Sequence, residues 1–218
     1  MTERVRKPEE GRSRNASPLG DMGKENANFY RIDSYKGLQN ILKEIGEDVQ
    51  TVTFTFNDNA DRRTLRRHAN GGGFVEDTAH VDKTAYVGRL ALVLNTVEIL
   101  DEVMILGEAI ISERAQLRGM VSVMGESAVF GDARLLDNVR VWNSVVYENV
   151  TALGDTHIYL SRVFGNVLLR NANIWEKTIN GNGVIEGNGE VRSLMRPVER
   201  TASAVEGASQ KEVRAGGE

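Results

Sequence analysis

The chain of 218 residues has no cysteine, only three prolines, three histidines and 6% aromatic residues. Without cysteine there are no disulfides and no thiolate metal ligands. The histidines, His68, His80 and His157, are scarce material for a catalytic zinc centre, which takes three protein ligands and a water. With so few aromatics, any sizeable core must be aliphatic. No apolar run reaches the ~18 residues of a bilayer-spanning helix. The opening MTERVRKPEEGRSRN is charged with no apolar stretch behind it, so it does not read as a secretory signal.

Charge is scarce in one sense only. Residues 1–73 carry 13 Lys and Arg against 11 Asp and Glu, residues 74–190 carry 9 against 16, and the tail from Val191 carries 5 against 4. The acidic middle region does not attract phosphate backbones, because DNA affinity rests on Lys and Arg displacing condensed counterions. Nucleic acid is not an expected partner, and neither is a membrane.

What the middle region does have is a beat of six. Stepping from Val75 gives Val75, Val81, Val87, Val93, Ile99, Ile105, Ile111, Leu117, Val123, Val129, Leu135 and Val141, all aliphatic. A second column from Ala79 to Val145 is small or β-branched throughout. A third, Asp77, Lys83, Arg89, Asn95, Asp101, Gly107, Glu113, Gly119, Gly125, Gly131, Asp137 and Asn143, is polar or glycine. A period of six fits neither a helix, at 3.6, nor hairpins, whose turn spacing varies. It fits a triangular solenoid: each hexad makes one short strand and one corner, three close a coil, and coils stack in parallel ~4.8 Å apart. After Val145 the reading VVYEN, VTALGD, THIYLS, RVFGN, VLLRN, ANIWEK, TINGN, GVIEGN mixes hexads with pentads, which carries the coils to about Asn188. The predicted fold is mainly β: a parallel β-helix of about 6 coils over 74–189, roughly 30 Å long.

The flanks read differently. Residues 1–28 are charged and aperiodic and are expected to be disordered. In 29–73, Ser34 is a candidate N-cap for a helix through Leu38, Ile41, Leu42 and Ile45, ended by Gly46. QTVTFTF, 50–56, alternates as a half-buried strand. This small helix-strand cap is expected to cover the open end of the first coil. Residues 190–218 read as a flexible tail.

Side chains flanking each inward residue point outward. On face one these are Leu92, Leu94, Ile110, Ala128 and Phe130; on face three, Tyr86, Met104, Leu106, Met124 and Trp142. Face two shows His80, Asp82, Glu98, Gln116, Arg118 and Arg134, with only Leu100 and Leu136 apolar. Two apolar faces and one polar face suit a closed ring in which face one of one subunit meets face three of the next, so a homotrimer is expected. Arg62, Arg63, Arg66 and Arg67, beside His68, form either a contact for an anionic ligand or partner, or a solvated connector. His80 and His157 fall on different faces about four coils, roughly 20 Å, apart and cannot share a metal. The glycines of NGGGF and INGNGVIEGNG do not make a phosphate loop and read as turn glycines. No face carries the ranked Thr-x-Thr of an ice binder.

From NGGGFVEDTAHVDKTAYVG through GESAVFGDARLLDNVRVW, about half the chain, the sequence resembles the hexapeptide-repeat superfamily. It is most similar to bacterial and phage members with repeat units like GDARV and no evident catalytic residues. The resemblance implies a left-handed β-helix and a structural or binding role without cofactor, in the cytoplasm or on a virion, with the N-terminal unit and tails attaching protein partners. Hexapeptide acyltransferases share the coil. They imply acetyl-CoA or another acyl-CoA as cofactor and one histidine as general base at a subunit interface, a role open here to His157. They also tend to extrude a loop from the coil, for which the strict register from 74 to 145 leaves no room. The γ-class carbonic anhydrases need a three-histidine zinc site that this chain lacks.

Overall fold

The computed structural model describes residues 29–56 and 61–187. From Phe74 the chain winds as a parallel β-solenoid of about six turns. The inward column of face one is Val75, Val93, Ile111, Val129, Val146, Val163 and Ile179, each paired to the next. On face two it is Val81, Ile99, Leu117, Leu135, Ala152, Leu169 and Ile185. On face three it is Val87, Ile105, Val123, Val141, Ile158 and Ile174. We number the rungs of each face from the N-terminal end. From rung 2 upward these residues are buried, so the core is aliphatic throughout, as the six-residue beat predicts.

From Asn95 onward the turn column is left-handed backbone. Asn95, Asp101, Gly107, Glu113, Gly119, Gly125, Gly131, Asp137 and Asn143 all have positive φ, and so do Glu148, Gly154, Leu160, Gly165, Asn171, Glu176, Gly181 and Gly187. Glycine, Asn and Asp accept that conformation at little cost, which is why they recur at the corners. The sequence parse differs from the fold in one corner: VLLRN, taken as a pentad, turns at Asn171 and belongs to a hexad, with the pentad following it. The slip also begins earlier than Val145. Val141 to Val146 is already five residues, so Val146 is the inward residue and Val145, the last of the small or β-branched column, flanks it on the outside.

Ahead of the solenoid lie strand β1 (Phe29–Ile32), helix α1 (Tyr35–Glu44), strand β2 (Thr51–Phe56) and strand β3 (Arg63–Arg67). Ser34 caps α1, its hydroxyl accepting from Gly37 N at 3.1 Å. β1 pairs parallel to β2, β2 antiparallel to β3, and β3 antiparallel to β4 (Phe74–Glu76), the first rung of face one. The sheet of face one thus runs on beyond the first coil.

The expected small N-terminal α/β cap is present, and its strand β3 pairs with β4 at the free edge of the first coil. Val75, Ala79 and Val81, inside the first coil, stay only partly buried. Helix α1 lies instead across the outer side of face one, where Leu38, Leu42 and Ile45 share a second core with Phe74, Leu92 and Leu94. The spacing of those three helix residues makes one apolar stripe, and the outward leucines offer it a flat apolar surface. Gln39, buried, donates to Leu90 O at 3.1 Å and Glu108 O at 2.8 Å, carbonyls of successive coils. Lys36 and Lys43 both reach Glu108, at 2.8 and 2.6 Å. The expected disorder of residues 1–28 and flexibility of residues 190–218 concern segments outside the described residues.

Candidate functional site

The arginine run makes several contacts within the fold. Arg63, Arg66 and Arg67 lie on β3, and each is engaged. Arg63 holds Glu76 through two hydrogen bonds, Nε at 2.7 Å and Nη2, and its guanidinium lies over Phe54 and Phe56. Glu76, only 5% exposed, also accepts from Asn95 N, so it joins β3 to the first two coils. Arg66 clasps Asp77 at 2.6 and 3.2 Å. Arg67 donates to Gly46 O, Val49 O and Gly72 O over the ring of Phe74. Arg62 sits over Phe29. Arg63 and Arg67 are thus held within the fold, while Arg62 and Arg66 are exposed. In sequence, alternation around the single apolar Leu65 looks like a charge cluster; in the fold Arg62, Arg63 and Arg67 lie over aromatic rings.

The apolar faces divide into halves. Leu92 and Leu94, expected in a subunit interface, are fully buried under the chain's own α1, and Ile110 packs against the same core. On rungs 4 to 6 no described residue covers face one, and Phe130, Tyr147 and Phe164 form a stacked ladder with centroids 4.9 and 4.8 Å apart. Face three is uncovered by any described residue along its length: Tyr86, Met104, Trp142 and Trp175 are exposed, Leu106 and Met124 half-buried. On rungs 4 to 6 it carries a second ladder, Trp142, Tyr159 and Trp175, with centroids 6.3 and 5.5 Å apart. Tyr147, Tyr159, Phe164 and Trp175 escaped the sequence reading because the shortened repeats after Val145 shift the face columns out of phase. The recurrence of aromatics at 130, 147 and 164 and at 142, 159 and 175 was the signal available. At the corner beside the second ladder, Leu160 has φ 49 and is 43% exposed. A branched side chain in that conformation costs about 1–2 kcal/mol.

His157 lies on rung 5 of face three, between Arg140 and Asn173, with its side chain 23% exposed. Its Nε2 comes within 3.3 Å of Asp155 Oδ1 but not in hydrogen-bonding geometry, and the nitrogen is buried with no hydrogen-bond partner. Asp155 Oδ1 accepts instead from Asn138 Nδ2 at 2.7 Å. The imidazole leans on Tyr159 at 5.8 Å. His80 is exposed on rung 1 of face two. Among the described residues no group of three or more His, Asp or Glu is placed to hold a metal ion, and no helix is long and apolar enough to cross a membrane.

The fold and its faces define a class: a parallel β-solenoid flanked by a small helix-and-sheet unit. No protein-family model, curated protein or solved structure matches the chain.

Proposed function

We propose that the protein is a non-enzymatic β-helix used for assembly or binding, working as a homotrimer within a bacterial or phage structure, in the cytoplasm or on a virion. The observation that carries this reading is the apolar strip running along face three. Tyr86, Met104, Trp142 and Trp175 are each more than a third exposed on one flat side of the rod, and contiguous apolar surface of that kind marks an interaction site. The polar face two, laced by ion pairs such as Arg118–Asp101 and Arg170–Glu186, suits the outside of a ring. The N-terminal unit and the terminal segments are then free to attach protein partners. Size-exclusion chromatography with light scattering tests the reading. A mass three times that of the chain is expected, and a stable monomer at micromolar concentration would refute it.

A second reading is favoured by one feature, the buried Nε2 of His157 beside Asp155 on the same face. In it the protein is an acyl-CoA-dependent transferase with His157 as general base between subunits. Against it, corners of five or six residues throughout 93–187 extrude no loop. Acetyl-CoA at a hundred times its dissociation constant would stabilise such an enzyme by about 2.7 kcal/mol, whereas the scaffold should show no thermal shift.

A further inference from the structure

The two ends of the rod differ in burial. At the lower end Val75 and Val81, the inward residues of rung 1, stay only partly buried, although β3 pairs alongside Val75. At the upper end the last strand, Thr178–Glu186, pairs with Arg162–Arg170 beneath it and with no described strand above. Its inward residues Ile179 and Ile185 should then be at least as open as Val75 and Val81. They are only 8% and 2% exposed. Rung 7 is also incomplete: it has inward residues on faces one and two and no described one on face three, where Ile174 of rung 6 is nevertheless buried.

We infer that residues 188–198 of the same chain dock on this end: a face-three strand completes rung 7, and the apolar residues after it cross the end of the rod. Ile179 and Ile185 are buried within a single chain, so their cover belongs to that chain. The described residues stop at Gly187, a positive-φ corner whose amide donates to Arg170 O at 3.2 Å. The matching corners below it, Gly154 and Asn171, lead straight onto face three. Two registers are open to the segment that follows. A five-residue corner, as from Leu169 to Ile174, would set Glu190 inward on Ile174. A six-residue corner, as from Ala152 to Ile158, sets Val191 there instead, with Gly189 where Thr156 stands two coils earlier. A carboxylate confined in an aliphatic interior is costly, and valine recurs in every inward column, so Val191 takes the place. Leu194, Met195 and Val198 come next in the chain and supply the apolar cover for Ile179 and Ile185. A second copy stacked end-on fits less well, because the lower edge of its face one is already paired to β3. The closure also shields the free edge of a strand of 9 residues, which would otherwise template pairing with other chains. Of the C-terminal segment, residues from Glu199 onward are left to attach partners. None of this depends on the oligomeric state.

The test uses the full chain, which has no cysteine of its own. Asn173→Cys with Glu190→Cys places two thiols side by side on adjoining rungs, about 4.8 Å apart at the backbone, within reach of a disulfide. Oxidation should link them within one chain, read by peptide mapping without reduction. Asn173→Cys with Val191→Cys, the second thiol facing inward, should not link. Val191→Asp should speed amide exchange at Ile179 and Ile185 by at least about tenfold, since the carboxylate cannot stay in the interior. Glu190→Gln, on the outer side, should leave that exchange unchanged. Absence of the link together with exchange indifferent to Val191→Asp overturns the closure. Acceleration by Glu190→Gln but not by Val191→Asp overturns the register, and a link between chains overturns the choice of occupant. The mass in solution is read separately: a monomeric wild type that still forms the link within one chain refutes the trimer and leaves the closure standing.

Discussion

The lower and upper halves of the solenoid share a core but not a surface or a corner. On face one the pairing step is 18 residues from Val75 through Val129, 17 through Val163, and 16 to Ile179. The first residue is lost at the corner from face three to face one, where Val141–Val146 and Ile158–Val163 span five residues in place of six. In the longer coils that corner is filled by Ala91 and Ala109. It is filled by Ser127 at the last six-residue corner and by Ser144 and Ser161 at the five-residue ones, each hydroxyl accepting from the amide of a residue one coil on: Ser144 N, Ser161 N and Lys177 N, at 3.2, 3.0 and 3.0 Å. Ser144 also donates toward Trp142 O and Ile158 O. A tighter corner orphans backbone groups inside the rod, and a hydroxyl satisfies them where alanine cannot. The same division holds outside: the lower half of face one is committed to the chain's own helix, and no described residue covers the upper half.

The largest blow to this comparison should come at the tie between the N-terminal unit and the lower coils. Arg63→Met strands the buried Glu76 carboxylate and should lower unfolding free energy by about 3–5 kcal/mol in denaturant titrations. A drop under about 1 kcal/mol would mean the unit is not anchored as described. Next come matched truncations on face one. Leu92→Ala, under α1, should destabilise by about 2–5 kcal/mol. Val145→Ala, on the open upper half, should cost well under about 1.5 kcal/mol to a single chain, because little of its burial is complete. Equal effects would erase the distinction between the halves.

Ser144→Ala tests the corner itself. Leaving the buried amide of Ser161 unpaired should cost about 1–3 kcal/mol. The smallest effect is expected at the clasp on α1. Lys36 and Lys43 donate to Glu108 and hold its carboxyl below the usual carboxylate range. Because the folded-state pKa is the lower one, the clasp contributes in full above the ordinary Glu value of about 4.3. It is lost as pH falls through the depressed value. The protection of α1 amides, taken relative to their intrinsic exchange rates at each pH, should therefore fall below about pH 4.3 in the wild type. Glu108→Gln should show the lower protection already at neutral pH and little further change with acid.

The six-residue column was legible because the interior of a narrow solenoid tolerates only aliphatic and small side chains, and every coil repeats the demand. Corners were legible for a related reason: left-handed backbone selects Gly, Asn and Asp, and even pentads could be read from residues such as Gly165 and Gly181. The outward surface was less legible. Leu92 and Leu94 are indistinguishable in sequence from exposed interface residues, since any apolar partner suits them. That the partner is α1, more than 40 residues earlier, follows from packing. Strand β3 was hidden in the same way, its arginines recruited by aromatic rings and by a carboxylate distant in sequence.

By itself, then, the amino-acid order determined the winding, the identity of the inward residues and where the chain turns, because those depend on local backbone preference and on one repeated steric constraint. The tertiary structure alone decided which outward residues stay exposed, which arginines are spent on the N-terminal unit, and how the aromatic residues of the shortened coils line up on adjoining faces. Those outcomes depend on packing between segments far apart in the chain, and a periodic pattern carries no information about which distant surface will cover it.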